Sequence, residues 1–150
     1  MKLLYAMLLC LLSLGAYGEQ MMDQAKMEEI IKNNAASHAG QQGLVEFEYH
    51  GVRMAVISDA VNDRMRIVSP IANYSDVTRE QLDAMMQANF HSTLDSRYAV
   101  SGGVLYAAFI HRLSILQRRD VEHAMDQVAN LVLSYGSEYT SGELTFNKGR

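Results

Sequence analysis

The residues on either side of His50-Gly51 pair off as a hairpin, and that pairing constrains the chain more than any other feature. In Leu44–Tyr49, the residues Val45, Phe47 and Tyr49 alternate with Leu44, Glu46 and Glu48. In Val52–Ser58, Val52, Met54 and Val56 alternate with Arg53, Ala55 and Ile57. A period of two is the mark of a strand with one buried face. If His50-Gly51 is a two-residue loop, counting outward sets Tyr49 against Val52, Phe47 against Met54 and Val45 against Val56 on one side. Glu48 then faces Arg53 on the other. A slip of one residue would exchange the two faces wholesale, so this pattern commits the chain to a sheet with distinct sides. A four-residue loop Asp59–Asn62 continues the meander, with Met65 opposite Val56 and Ile67 opposite Met54. Pro70 cannot donate to a ladder and belongs at an edge or a bulge.

The remaining elements follow from periodicity and caps. Gln20 to Asn33 reads as a surface helix with Met27, Ile30 and Ile31 on a narrow stripe, and Glu28 and Glu29 read as solvated charge. Asn33–Gly43 is small and polar, the clearest linker. Thr78 and Gln81 form a capping box, and Val77 and Leu82 are spaced for a hydrophobic staple. Leu82, Met85, Met86 and Phe90 mark the apolar face of that helix. Two strand-like runs, Leu94–Val100 and Val104–Leu113, flank Gly102-Gly103. A last helix begins between Gln117 and Asp120, with Val121, Ala124, Met125, Val128, Leu131, Val132 and Tyr135 at helical spacing and Gly136 as its stop. The order α-βββ-α-ββ-α predicts an α+β domain, an antiparallel sheet of about five strands with helices packed on it.

Residues 1–18 read as a signal peptide. Lys2 is followed by the apolar run Leu3–Leu14, and Ala16-Tyr17-Gly18 is a small-x-small cleavage pattern. The run is short for a membrane span, and the lone Cys10 lies inside it rather than at the cleavage point. Cleavage after Gly18 leaves a chain without cysteine that depends on its hydrophobic core, which favours the periplasm over small disulfide-stapled extracellular modules. Residues 19–136 form the expected single domain and 137–150 a polar C-terminal tail. The formal net charge of −4 argues against nucleic acid as a partner, and no polybasic patch suggests a membrane surface.

Asp63-Arg-Met-Arg-Ile-Val-Ser-Pro, the helix Leu82–Phe90 with Asn89 near its end, Gly103-Val-Leu-Tyr-Ala-Ala-Phe and the long last helix together resemble the type III secretion chaperone-like fold. The nearest group is the YbjN-like bacterial sensory transduction regulators. The resemblance covers about residues 22–136. It implies a non-enzymatic protein that binds another polypeptide, often as a homodimer. The chaperones of that fold are cytosolic, whereas this chain carries an export signal, so a secretion-chaperone role does not transfer.

No constellation for catalysis stands out. His38, His50, His91, His111 and His123 show no metal spacing, and there is no nucleophile elbow or phosphate-binding glycine loop. Asn73-Tyr74-Ser75 fits a glycosylation acceptor that matters only in a eukaryotic secretory route. The expectation is therefore a protein without catalysis or cofactor, periplasmic or secreted, whose partner is another polypeptide or its own copy. The residues that would carry contact lie on the second sheet face: Arg53, Ile57, Arg66, Arg97, Tyr106 and Ile110, with Arg64 and Arg112 beside them. Arg and Tyr are enriched at interfaces. The competing reading of this face is a solvated surface with Glu46 and Glu48 pairing the arginines. A different function, small-ligand carriage, would use a pocket lined by Met85, Met86 and Met125. The signal-peptide reading predicts a mature protein that begins at Glu19, which mass spectrometry of the exported protein checks; an intact Met1 in the cell envelope would overturn it.

Overall fold

The computed structural model describes residues 21–143, so the expected signal peptide, residues 1–18, and residues 144–150 lie outside the described residues. Helix α1 (Gln24–Asn34) starts where Asp23 caps it, its carboxylate accepting from the Lys26 N–H at 2.8 Å. Met27, Ile30 and Ile31 are fully buried. Glu28 is buried as well, contrary to the expectation of solvated charge. Its carboxylate accepts from the Gly43 N–H at 2.7 Å and lies 3.7 Å from the Lys32 ammonium, so it holds the following turn against the helix.

That turn belongs to a strand absent from the expected order. The expected linker Asn33–Gly43 contains β1 (Ser37–Gln41), paired antiparallel with β2 (Leu44–Tyr49) from Ser37–Glu48 to Gln41–Leu44. All five residues of β1 are exposed, so no alternation of apolar side chains could reveal it. Gly40 has a φ of +119°, and a Cβ there would overlap the Leu44 carbonyl oxygen, which is why the strand approaches so closely only with glycine.

The hairpin of β2 with β3 (Val52–Asp59) has the register read from the sequence, pair for pair. His50 and Gly51 take φ of 51° and 75° at its tip, as a two-residue loop of this hand requires. The next pairing is displaced by two residues. In β4 (Arg64–Asn73), Ile67 faces Val56 and Met65 faces Ser58, so the loop is Ala60–Asp63. Asp59 stays in the strand and accepts from the Asn62 N–H at 3.0 Å, and Asp63 turns the chain at φ 52°. A shift of two preserves the faces, so Met65 and Ile67 are still buried. Pro70 sits where the pairing slips, between Pro70 and Ala72.

After a single 3-10 turn, α2 (Arg79–His91) opens on the expected capping box, with Thr78–Gln81 bonds of 3.0 and 3.2 Å. Its buried side differs from the expected face: Met85 and Ala88 are buried, whereas Met86 and Phe90 are exposed, Phe90 by 78%. Asn89 explains the rotation. Its amide accepts from the Tyr98 N–H at 2.8 Å and donates to the Tyr98 carbonyl at 3.1 Å, docking the helix on β5 (Arg97–Ser101) by that side. The same two bonds occupy the outer edge of β5, a strand with no neighbour there. Strand β6 (Val104–His111) returns across Gly102-Gly103, both at positive φ. The six-stranded antiparallel sheet runs β1-β2-β3-β4-β6-β5, one strand more than expected, and the class is α+β.

Helix α3 (Arg118–Leu133) carries the strongest amphipathic stripe. Val121, Ala124, Met125, Val128 and Leu131 are buried against β4 and β6, with α1 alongside. The chain beyond Gly136 does not leave the domain at once. Ser92 Oγ donates to the Tyr139 carbonyl at 2.8 Å, the Ser141 N–H donates to the Ser92 carbonyl at 3.1 Å, and Tyr139 packs on the core. The expectation of a tail from residue 137 thus holds for nothing up to Ser141, because these bonds tie the segment to the end of α2.

Phe47 lies in the core and Glu48 on the partly open face opposite Arg53. Phe47→Ala should cost about 3–5 kcal/mol, and Glu48→Ala less than about 1 kcal/mol. Chemical denaturation of both variants checks this, and equal losses would contradict the assignment of faces.

Candidate functional site

The helices cover one side of the sheet, and the expected second face is left open. Its side chains fall into rows that cross the strands. One row runs Leu44, Ile57, Arg66 and Ile110. The next holds Glu46, Ala55, Val68, Ala108 and Arg97. On its other side lie Glu48 and Arg53, then Pro70, Tyr106 and Ala99. Small side chains in the middle row and long ones beside it make a trough across the sheet. An open groove of about 990 Å³ includes Arg53, Ala55, Ile57, Val68 and Tyr106 in its lining. Leu44, Ile57 and Ile110 are 47, 42 and 57% exposed, an apolar row with Arg66 in its middle.

The five arginines of this face are not equivalent. The guanidinium groups of Arg53 and Arg66 make no ion pair or hydrogen bond among the described residues, although Glu48 stands opposite Arg53 in the register. The reading in which Glu46 and Glu48 pair the arginines is therefore not what the chain does. Arg64 donates to the Asp63 carbonyl at 2.9 Å. Arg97 is turned back on its own approach, donating to Thr93 Oγ1 at 3.2 Å and to the carbonyls of Leu94 and Ser96. Arg53, Ile57 and Tyr106 thus line the groove, and Arg66 and Ile110 continue the row of Ile57 beside it. Arg97 closes its far end as a fixed charge. Leu44 belongs with them, and its place was legible in its alternation with Val45.

Arg112 is held at the border of the face by Asp63. The Asp63 carboxylate accepts from the Ser114 N–H at 2.7 Å, from Ser114 Oγ at 2.9 Å and from Arg112 Nε at 2.9 Å. These bonds, those from Ser114 first, hold its pKa at about 2, below the usual 3.8. The β3–β4 loop is thereby tied to the segment that leads from β6 into α3.

The other polar groups with shifted acidity are structural. Tyr98 donates to the Leu131 carbonyl at 2.9 Å and is pushed up to about 12 by burial, beside the rings of Tyr135 and Tyr139. Tyr49 donates to Asp126 at 2.8 Å and is likewise raised to about 12, by burial and by that carboxylate. Among the described residues no group of three His, Cys, Asp or Glu could hold a metal ion, and no helix is long and apolar enough to cross a membrane. Met85 and Met125 fill the core while Met86 is exposed, so the three methionines do not line one pocket.

No protein-family model matches the chain, and no curated protein matches it in sequence. Among solved structures, it is similar to a chain of the HopA1–SchA chaperone–effector complex. That chain is 8% identical, with a TM-score of 0.56 over 73% of this chain and 88% of the other. The likeness supports the chaperone-like fold that the sequence resemblance implies.

A carboxylate whose folded pKa is depressed stabilises the fold fully above its unfolded value, about 3.8 here. It loses that contribution as pH falls through about 2. Asn tolerates the left-handed backbone of Asp63, so Asp63→Asn removes the charge and one acceptor oxygen without backbone strain. The variant should melt below the wild type at neutral pH, and the gap should narrow between about pH 4 and about pH 2. Thermal melts followed by circular dichroism across that range check this; a gap independent of pH would contradict it.

Proposed function

We propose that this chain is an exported, non-enzymatic polypeptide-binding protein, chaperone-like or regulatory, related to the YbjN-like group. Its contact surface is the open second face. The observation that carries the reading is the row Leu44, Ile57, Arg66 and Ile110, in which solvent-exposed aliphatic side chains flank a guanidinium without a partner among the described residues. Leu44, Ile57 and Ile110 are gathered in one row rather than scattered singly, and apolar surface beside unpaired Arg and half-buried Tyr matches interface composition. The fold likeness to a chain from a chaperone–effector complex supports the same reading. Export rests on residues 1–18 and the cleavage pattern at Gly18. The partner is another polypeptide or a second copy of this chain.

Ile110→Asp places an unpaired charge in that contact, and Arg66→Glu reverses the central one. Each should weaken association roughly 30-fold or more, about 2 kcal/mol, with the fold intact by circular dichroism. Analytical ultracentrifugation tests self-association, and capture from periplasmic extract tests other partners. Folded variants that associate and capture as the wild type does would remove this face from the reading.

A further inference from the structure

The trough's geometry and charges narrow down what it holds. Strands β2, β3, β4 and β6 are each paired on both sides, so the face over them presents side chains and no free backbone N–H or C=O. An occupant that covers it buries backbone of its own, and buried peptide groups must be paired. An extended segment laid across these strands could pair with nothing, whereas a helix arrives with its hydrogen bonds already made. Strand addition is a matter for the sheet's two edges, β1 and β5, and not for the face over the central strands; on β5, Asn89 already takes the backbone groups of Tyr98.

From β2 to β5 the trough crosses four strand spacings, about 19 Å at about 4.8 Å each. A helix of about 13 residues spans that length. The small side chains Ala55, Val68 and Ala108 along the floor leave room for one apolar ridge of such a helix. The guanidinium groups of Arg66 on one wall and Arg53 on the other lack partners among the described residues, so both walls call for carboxylates. The ends differ in sign: Glu46 and Glu48 lie at the β2 end and Arg97 at the β5 end. A helix N-terminus carries partial positive charge and its C-terminus partial negative charge, which sets the direction.

We propose that the open trough of the sheet binds a short amphipathic helix of a partner polypeptide, with a small apolar ridge and acidic flanks, running across the strands with its N-terminus at Glu46. The proposal rests on the reading that the second face is the contact surface.

Three fluorescein-labelled 14-residue peptides with one shared Ala/Leu ridge test it by anisotropy against the full chain: one with Glu flanks, one with Lys flanks, and the Glu peptide with a central Pro. The Glu peptide should bind at least 10-fold tighter than either of the others. In Arg53→Glu/Arg66→Glu the preference should reverse toward the Lys peptide. Arg53→Gln and Arg66→Gln, each folded by circular dichroism, should lose about 3-fold or more for the Glu peptide. Equal binding of the Pro peptide would overturn the helix, and equal binding of the Lys peptide would overturn the acidic flanks. Failure of all three peptides would overturn the proposal. In that case, loss of capture by Ile110→Asp would leave the second face as the contact surface, whereas unchanged capture would remove both readings.

Discussion

The register of the β2–β3 hairpin is the constraint on which the rest of the structure depends. Two residues at positive φ, His50 and Gly51, close the turn and set the phase of every pair behind it. That phase gathers Val45, Phe47, Val52, Met54 and Val56 on one side, and β4 and β6 continue it with Met65, Ile67, Leu105, Ala107 and Phe109. Apolar area on one side draws α1 and α3 there, since each helix has a stripe that needs the same burial. The open face is a consequence of this choice. Once both long helices lie on the apolar side, the arginines and the remaining aliphatics have no layer above them.

Three polar devices hold the outlying parts in place. Buried Glu28 fastens the β1–β2 turn to α1 through the Gly43 N–H. Asn89 docks α2 on β5 and occupies an edge that would otherwise offer unpaired backbone groups. Asp63 ties the β3–β4 loop to Ser114 and Arg112. Each is a side chain completing the hydrogen bonds of a distant backbone or side chain. The trough keeps its shape because both of its ends are fastened in this way, while the floor between them is ordinary central sheet.

Among the described residues the polar groups serve loop ties, helix docking and the open face. The shifted acidities belong to a loop clasp and to tyrosines that donate to nearby acceptors. The unpaired guanidinium groups of Arg53 and Arg66 stand on the open face. The fold is similar to that of a chain in a chaperone–effector complex, and at 8% identity the shared property is the arrangement of helices and sheet. What distinguishes this chain is the particular row of Leu44, Ile57, Arg66 and Ile110 and the small residues beside it.

The sequence by itself determined what depends on neighbours along the chain. The period of two, the His50-Gly51 and Gly102-Gly103 turns, the Thr78–Gln81 box and the stripe of α3 are local patterns, and through them the α+β class and both sheet faces were legible. The tertiary structure alone decided what depends on residues far apart. Strand β1 is fully exposed, so pairing with β2 and the tie from Glu28 define it rather than any hydrophobic alternation. The β3–β4 register is set by Asp63 and its bonds to Ser114, 51 residues away, and a shift of two leaves the alternation unchanged. The rotation of α2 follows from Asn89 meeting Tyr98, which exposes Met86 and Phe90 despite their apolar spacing. On the open face the sequence placed Arg53, Arg64, Arg66 and Arg97 on the correct side. Which ones remained free was decided by whether a carboxylate or carbonyl came within reach, and that is a matter of three-dimensional distance.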